Sequence, residues 1–103
     1  MTTAHLLIVY PTPKDPKAFD RAYREQHLTY AGPRLVGATS VVSKHVASNG
    51  NAFYAISDVT FPSLAALQEC AASKSGQEAV AHAASISTGG PPVVLIVTDD
   101  LAG

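Results

Sequence analysis

The chain has 103 residues, of which 47% are hydrophobic and only 15% charged, and its net charge is −1. That length holds one domain with one modest core, and a charged fraction well below the usual figure of about 25% leaves little polar surface, which favours an oligomer. The basic residues are scattered, so nucleic acid is disfavoured, and the lone Cys70 excludes an internal disulfide, with no Cys/His spacing suited to zinc.

Residues 4–10, AHLLIVY, form a short apolar run rich in β-branched residues and predict a buried strand. The run is too short for a signal or a membrane span, so the chain is expected to be cytoplasmic, with no membrane contact. The proline-rich PTPKDP makes a stiff loop. Asp15 before Pro16 then starts a helix, the carboxylate as cap and the proline in the first turn. This helix runs to Tyr30 or Ala31, where AGPR stops it. Phe19, Ala22, Tyr23, Gln26, His27 and Tyr30 fall on one of its faces. The stripe begins apolar, as a core face should, but ends in groups that resist burial without partners.

Residues 38–48 alternate as a strand, Asn49-Gly50 is a strong hairpin signal, and residues 52–61 form the second arm. Pro62-Ser63 opens a second helix with Leu64, Leu67 and Ala71 toward the core. SKSG interrupts it, and Gln77 to about Ile86 resumes it. STGGPP breaks the chain again, residues 93–98, VVLIVT, form a last strand apolar on both faces, and DDLAG is a short tail, frayed or docked on a partner. The order β-α-β-β-α-β is the ferredoxin-like plan of the α+β class, an antiparallel sheet with its helices on one face. The first and last strands are apolar on both sides, so the second face needs cover as well. A second copy, sheet against sheet, would supply it, and a homodimer is expected.

A stripe that turns from apolar to polar fits a ligand pocket between helix and sheet. Tyr10, at the end of the first strand, and Tyr54, Ile56 or Asp58 on the third could line the same space, although strand parity stays open. His27 is the acid/base candidate, because imidazole exchanges a proton near neutral pH. On spacing alone, a histidine that completes the core by bonding a carbonyl or tyrosine is the commoner outcome. Asp58 either orients His27 or pairs with a lysine across the hairpin. His45 and His82 are expected at the surface, and Cys70 as an inert buried thiol.

The stretch YPTPKDPKAFDRAYREQH resembles the opening signature of the EthD family, with Tyr-Pro after the first strand, an Asp-Pro helix start, and Phe19, Asp20, Tyr23 and His27 in matching positions. FYAISDVTFPSLAALQECAASKSGQEAVA resembles its third strand and second helix, so the likeness covers nearly all of 1–103 as one EthD-like domain. The resemblance implies pairing as a dimeric α+β barrel and a role in small-molecule catabolism. It also implies a fold shared with lactone isomerases, polyketide cyclases and cofactor-free oxygenases, so that no cofactor is expected. On this reading His27 and Tyr23 are the catalytic candidates, and Tyr10, Phe19, Tyr30 and Tyr54 bind a small apolar or aromatic ligand. The chemistry is then isomerase, cyclase or lyase type. The alternatives are a non-catalytic carrier serving a neighbouring oxygenase and, less favoured, a haem protein with His27 as axial ligand. The chain departs from the family pattern at Thr29 and Tyr30, where Pro-Leu is usual, and at His82 and Ile86, where an acid and Phe are frequent. His82 thereby becomes a second candidate proton carrier.

Overall fold

The structure, a computed structural model, describes residues 2–48, 50 and 52–102. Strand β1 (Ala4–Pro11) runs down the middle of a four-stranded antiparallel sheet beside β3 (Phe53–Phe61), with β2 (Ser40–His45) and β4 (Val93–Thr98) at the edges in the order β2-β3-β1-β4. This is the expected ferredoxin-like arrangement. Strand parity, open in the sequence, is now defined. Ala4, Leu6, Ile8 and Tyr10 face the helices together with Ala55, Ser57, Val59 and Phe61 opposite them, and all eight are buried.

Between β1 and β2 lies a helical rod built from α1 (Pro16–Ala22), a π-helical turn (Tyr23–His27), α2 (Leu28–Ala31) and a 3₁₀ turn (Gly32–Arg34). Asp15 caps it as the sequence indicates, its carboxylate accepting from the Ala18 N–H. The 3.6-residue period of the sequence gives no sign of the π turn. That turn rearranges the stripe, so that Phe19, Tyr23, His27 and Ala31 are buried while Gln26 is exposed. In an α-helix a step of four residues overshoots one turn by about 40°. Residues at that spacing would spiral away from the sheet. The Leu28 N–H bonds the Tyr23 carbonyl instead, and this wider i→i+5 turn takes up part of the overshoot. Gln26, placed on the core face by the 3.6-residue period, is turned to solvent by the same change.

After β3, α3 (Leu64–Ala72) is capped by Ser63, and α4 (Lys74–Ile86) follows with only Ser73 between them. The interruption is therefore a single residue, narrower than SKSG suggested, because Ser73 serves both helices. Its Oγ accepts from the Gly76 N–H at 3.0 Å and donates to the Cys70 carbonyl at 2.6 Å. Leu67 and Cys70 face the core as expected of this helix, but Leu64 is largely exposed at its first turn. The β2–β3 hairpin forms in a register centred on Gly50, which has φ +102°; Asn49, the other half of the turn signal, lies outside the described residues.

Among the described residues no helix covers the second face of the sheet. It carries Leu7, Val9, Val42, Ile56, Val93, Leu95 and Val97, crossed by a polar strip in which His5 bonds Asp58 and Asp99 at 2.8 Å each and Lys44 approaches Asp58 at 3.6 Å. Asp58 thus pairs with a lysine across the hairpin and lies on the face away from His27. Among the described residues no helix is long and apolar enough to cross a membrane.

Candidate functional site

The helical rod lies over the middle of the sheet and leaves a cleft against β2 and β3. Two cavities occupy it, sharing Tyr23 and Leu28 in their walls. The inner one, about 190 Å³, is bounded by aliphatic groups such as Ile8, Leu35, Val41 and Val59, with His27 and Ser57 as polar interruptions. The outer one, about 200 Å³, runs past Phe19, Ser43 and Ala55 to Asp20, Arg24 and His45 at its mouth.

An aromatic ladder supports this cleft. Tyr10 meets Phe19 and Tyr23 edge-on at 5.0 and 6.0 Å, Phe19 stacks on Tyr23 at 5.9 Å, and Tyr23 leans on His27 at 5.3 Å. The Tyr23 hydroxyl sits over two serines, 2.7 Å from Ser57 Oγ and in short contact with Ser43 Oγ. The hairpin register places these serines directly opposite each other. Three hydroxyls thus form a chain from the buried Ser57 through Tyr23 to Ser43 in the outer cavity, and the chain can be polarised in either direction.

His27 is only 4% exposed. Its Nδ1 lies 3.0 Å from Nδ1 of His82, and the two rings stack 5.2 Å apart. Burial first, and the neighbouring His82 second, hold the His27 pKa down at about 4. At neutral pH it is an uncharged imidazole, able to accept or donate a proton but resistant to keeping a charge. His82 is backed by the Tyr30 ring at 4.5 Å, and the Arg34 guanidinium covers the other side of Tyr30 at 3.6 Å.

Tyr23 therefore stands at the junction of the cavities with His27 beside it in the wall of the inner one, and Phe19 walls the outer one. Tyr10 is sealed beneath them at 0% exposure. Among the described residues its hydroxyl has no hydrogen-bond partner; burial pushes its pKa up, opposed by Ser57, which acts on it without reaching hydrogen-bonding geometry. Tyr30 is separated from the cleft by the His27–His82 stack. Tyr54 occupies the other end. It falls at the irregularity where Tyr10 pairs with Ala55 and Pro11 with Phe53, and so reaches Asp20 on α1 with its hydroxyl at 3.1 Å. His45 is exposed as expected, and its Nε2 also bonds Asp20 at 3.1 Å. Ser43 and Ser57 lie far apart in sequence and carry no local signal as a pair. Counting outward from Gly50 would have found them, since 43 and 57 are equidistant from it. Among the described residues no cluster of His, Cys, Asp and Glu is arranged to hold a metal ion.

The chain is 33% identical over 95 residues, 90% of either chain, to an uncharacterized 11.0 kDa protein of the thcB-thcC intergenic region of Rhodococcus erythropolis. No family model matches it. Its fold is similar to that of an EthD family protein from Bacillus halodurans, with a TM-score of 0.79 at 18% identity over 92% of this chain and 96% of that one. The chain has the fold of an EthD family protein. Two further structures share this fold. One is a dimeric ferredoxin-like protein of unknown function from Jannaschia (TM-score 0.63, 20% identity, 94% and 98% covered). The other is a hydroxynitrile lyase from Passiflora edulis (TM-score 0.68, 13% identity, 99% and 96% covered).

Proposed function

We propose that this protein binds a small, largely apolar molecule in the cleft under its helical rod and moves a proton on it without a cofactor, in isomerase, cyclase or lyase chemistry. The observation that carries this reading is the buried, neutral His27 set in the wall of an apolar cavity beside the Tyr23 hydroxyl. His27 would be the general acid or base. The Tyr23–Ser43 hydroxyls would polarise a carbonyl or hydroxyl on the ligand, and Phe19 would hold its apolar body. A dry cavity of about 150 Å³ holds benzene, so an inner cavity of about 190 Å³ suits a ligand of that size or slightly larger. One structural neighbour, the hydroxynitrile lyase, is an enzyme on this fold, which supports the reading by analogy of fold alone.

A carrier role is the second reading, and one feature favours it. The Tyr23 hydroxyl has a serine on either side, so it has little capacity left for a substrate. The two readings separate on His27→Ala. Monocyclic ketones and lactones, screened by protein-observed NMR, are expected to shift resonances of Tyr23, His27 and Leu28. If a binder is also turned over, His27→Ala should cut turnover by ~10²–10⁴-fold while leaving binding. A carrier would change only in affinity. Failure of every such compound to move those resonances would remove the pocket reading itself.

We also propose that two copies pair through the open sheet face. Apolar side chains such as Leu95, 46% exposed, crowd that face, and the Jannaschia relative is dimeric.

A further inference from the structure

We infer that His27 and His82 form a two-imidazole proton relay, in which His82 connects the buried His27 to solvent and acts only through it. The inference rests on the reading above for its purpose, but its existence is a matter of geometry. Two Nδ1 atoms 3.0 Å apart leave room for one proton between them. Two bare lone pairs would repel there, and two N–H groups would clash. The rings are therefore locked in opposite tautomers. When His27 carries the Nδ1 proton, its Nε2 is bare and basic toward the cavity and His82 carries its proton on Nε2. When His82 carries the Nδ1 proton, His27 presents Nε2–H, an acid.

This opposition addresses the weakness of a buried base. An imidazolium at His27 would be opposed by its apolar surroundings, and no carboxylate bonds either ring among the described residues. The groups facing the pair are Tyr23 from the π turn, Tyr30 from α2, Arg34 from the 3₁₀ turn through the Tyr30 ring, and Glu78 on α4 (one turn before His82), which meets Arg34 at 3.7 Å. The relay leaves no charge behind on the rings. A proton taken from the ligand binds Nε2 of His27, the Nδ1 proton of His27 crosses to Nδ1 of His82, and His82 releases its Nε2 proton to water. One proton enters and one leaves, only N–H bonds change, and the ligand retains the electron pair. The reverse sequence returns a proton to the ligand.

The test is long-range proton–nitrogen NMR of the imidazoles in the wild-type chain, His82→Phe and His82→Gln, from pH 5 to 8. In the wild type at pH 7 the relay predicts one protonated and one bare Nδ1, or two averaged signals in fast exchange. It also predicts that the His27 nitrogen signals change with pH together with those of His82. His82→Phe keeps the stack on Tyr30, and there the His27 nitrogens should lose that response. His82→Gln provides a second folded variant lacking the relay should the first fail to fold. Bare Nδ1 atoms on both rings, or a His27 response unchanged in the variants, would overturn the relay. The ligand screen tests the pocket separately: a shared proton with no ligand bound would remove the proposed function and leave the relay standing.

Discussion

The Tyr10 hydroxyl and the His27 ring are polar groups sunk in the same core, and they should respond to substitution in opposite ways. At 0% exposure Tyr10 carries a hydroxyl with no partner among the described residues, whose desolvation costs about 1–3 kcal/mol. Tyr10→Phe keeps the ring contacts to Phe19 and Tyr23, so the variant should melt at an equal or higher temperature, by up to several degrees for a chain of this size. Calorimetry decides it, and a clear drop in melting temperature would mean that the hydroxyl has a partner. For His27 the sign follows from its depressed pKa of about 4 against about 6.5 when unfolded. Between these values the unfolded chain binds the extra proton, so stability falls as pH drops from about 6.5 toward 4. Between pH 7 and 5 the loss from this ring is roughly 2 kcal/mol. His5 works in the opposite sense, because Asp99 and Asp58 raise its pKa and its contribution is lost as pH rises through that value. Urea unfolding at pH 7 and 5 should therefore show a smaller acid loss in His27→Gln than in the wild type, and equal losses would mean that His27 is not held neutral.

Among the elements, the junction of α3 and α4 leaves no room for a side chain at Gly76. Helix propensity favours alanine over glycine by about 1 kcal/mol, and Gly76 lies inside α4. A Cβ there would stand 1.9 Å from the Cys70 carbonyl oxygen and 2.8 Å from its carbon. Backbone must then move, and overpacking of this kind costs typically ~1–3 kcal/mol. Gly76→Ala is expected to destabilise despite the better propensity, and a higher melting temperature would show that the two helices part easily. The π turn has the same character in the first rod. The period of the sequence predicts a stripe through Gln26, whereas the packing of Tyr23 and His27 on the sheet selects a wider turn that expels it.

At the level of the whole molecule, the helices cover one face of the sheet and leave β4 exposed along its length, Val93 to Val97. Leu95→Glu puts a charge in the middle of the open face at a position that is already 46% exposed, so the folded protomer should tolerate it. Light scattering on a sizing column should find the wild type as a dimer and the variant as a monomer with unchanged circular dichroism. A monomeric wild type would withdraw the proposed pairing.

Alternation in β1, the Asp15-Pro16 cap, the serine at the start of α3 and the glycine-rich breaks are local signals. They act through backbone geometry within a few residues, and from them the order of elements, the ferredoxin-like plan and the uncovered sheet face were legible in the sequence. His27 and Tyr23 were legible as neighbours for the same reason, because one helical turn joins them. The partners of these residues were not. His82 meets His27 across 55 positions and Ser57 meets Tyr23 across 34, and no local periodicity carries contacts of that separation. The sequence alone thus determined which segments fold into helices and strands and which residues were candidates. The tertiary structure alone decided which face of each strand they occupy, which turn of the rod opens into a π turn, and which polar groups come together in the core. Those outcomes depend on register and on packing between distant segments.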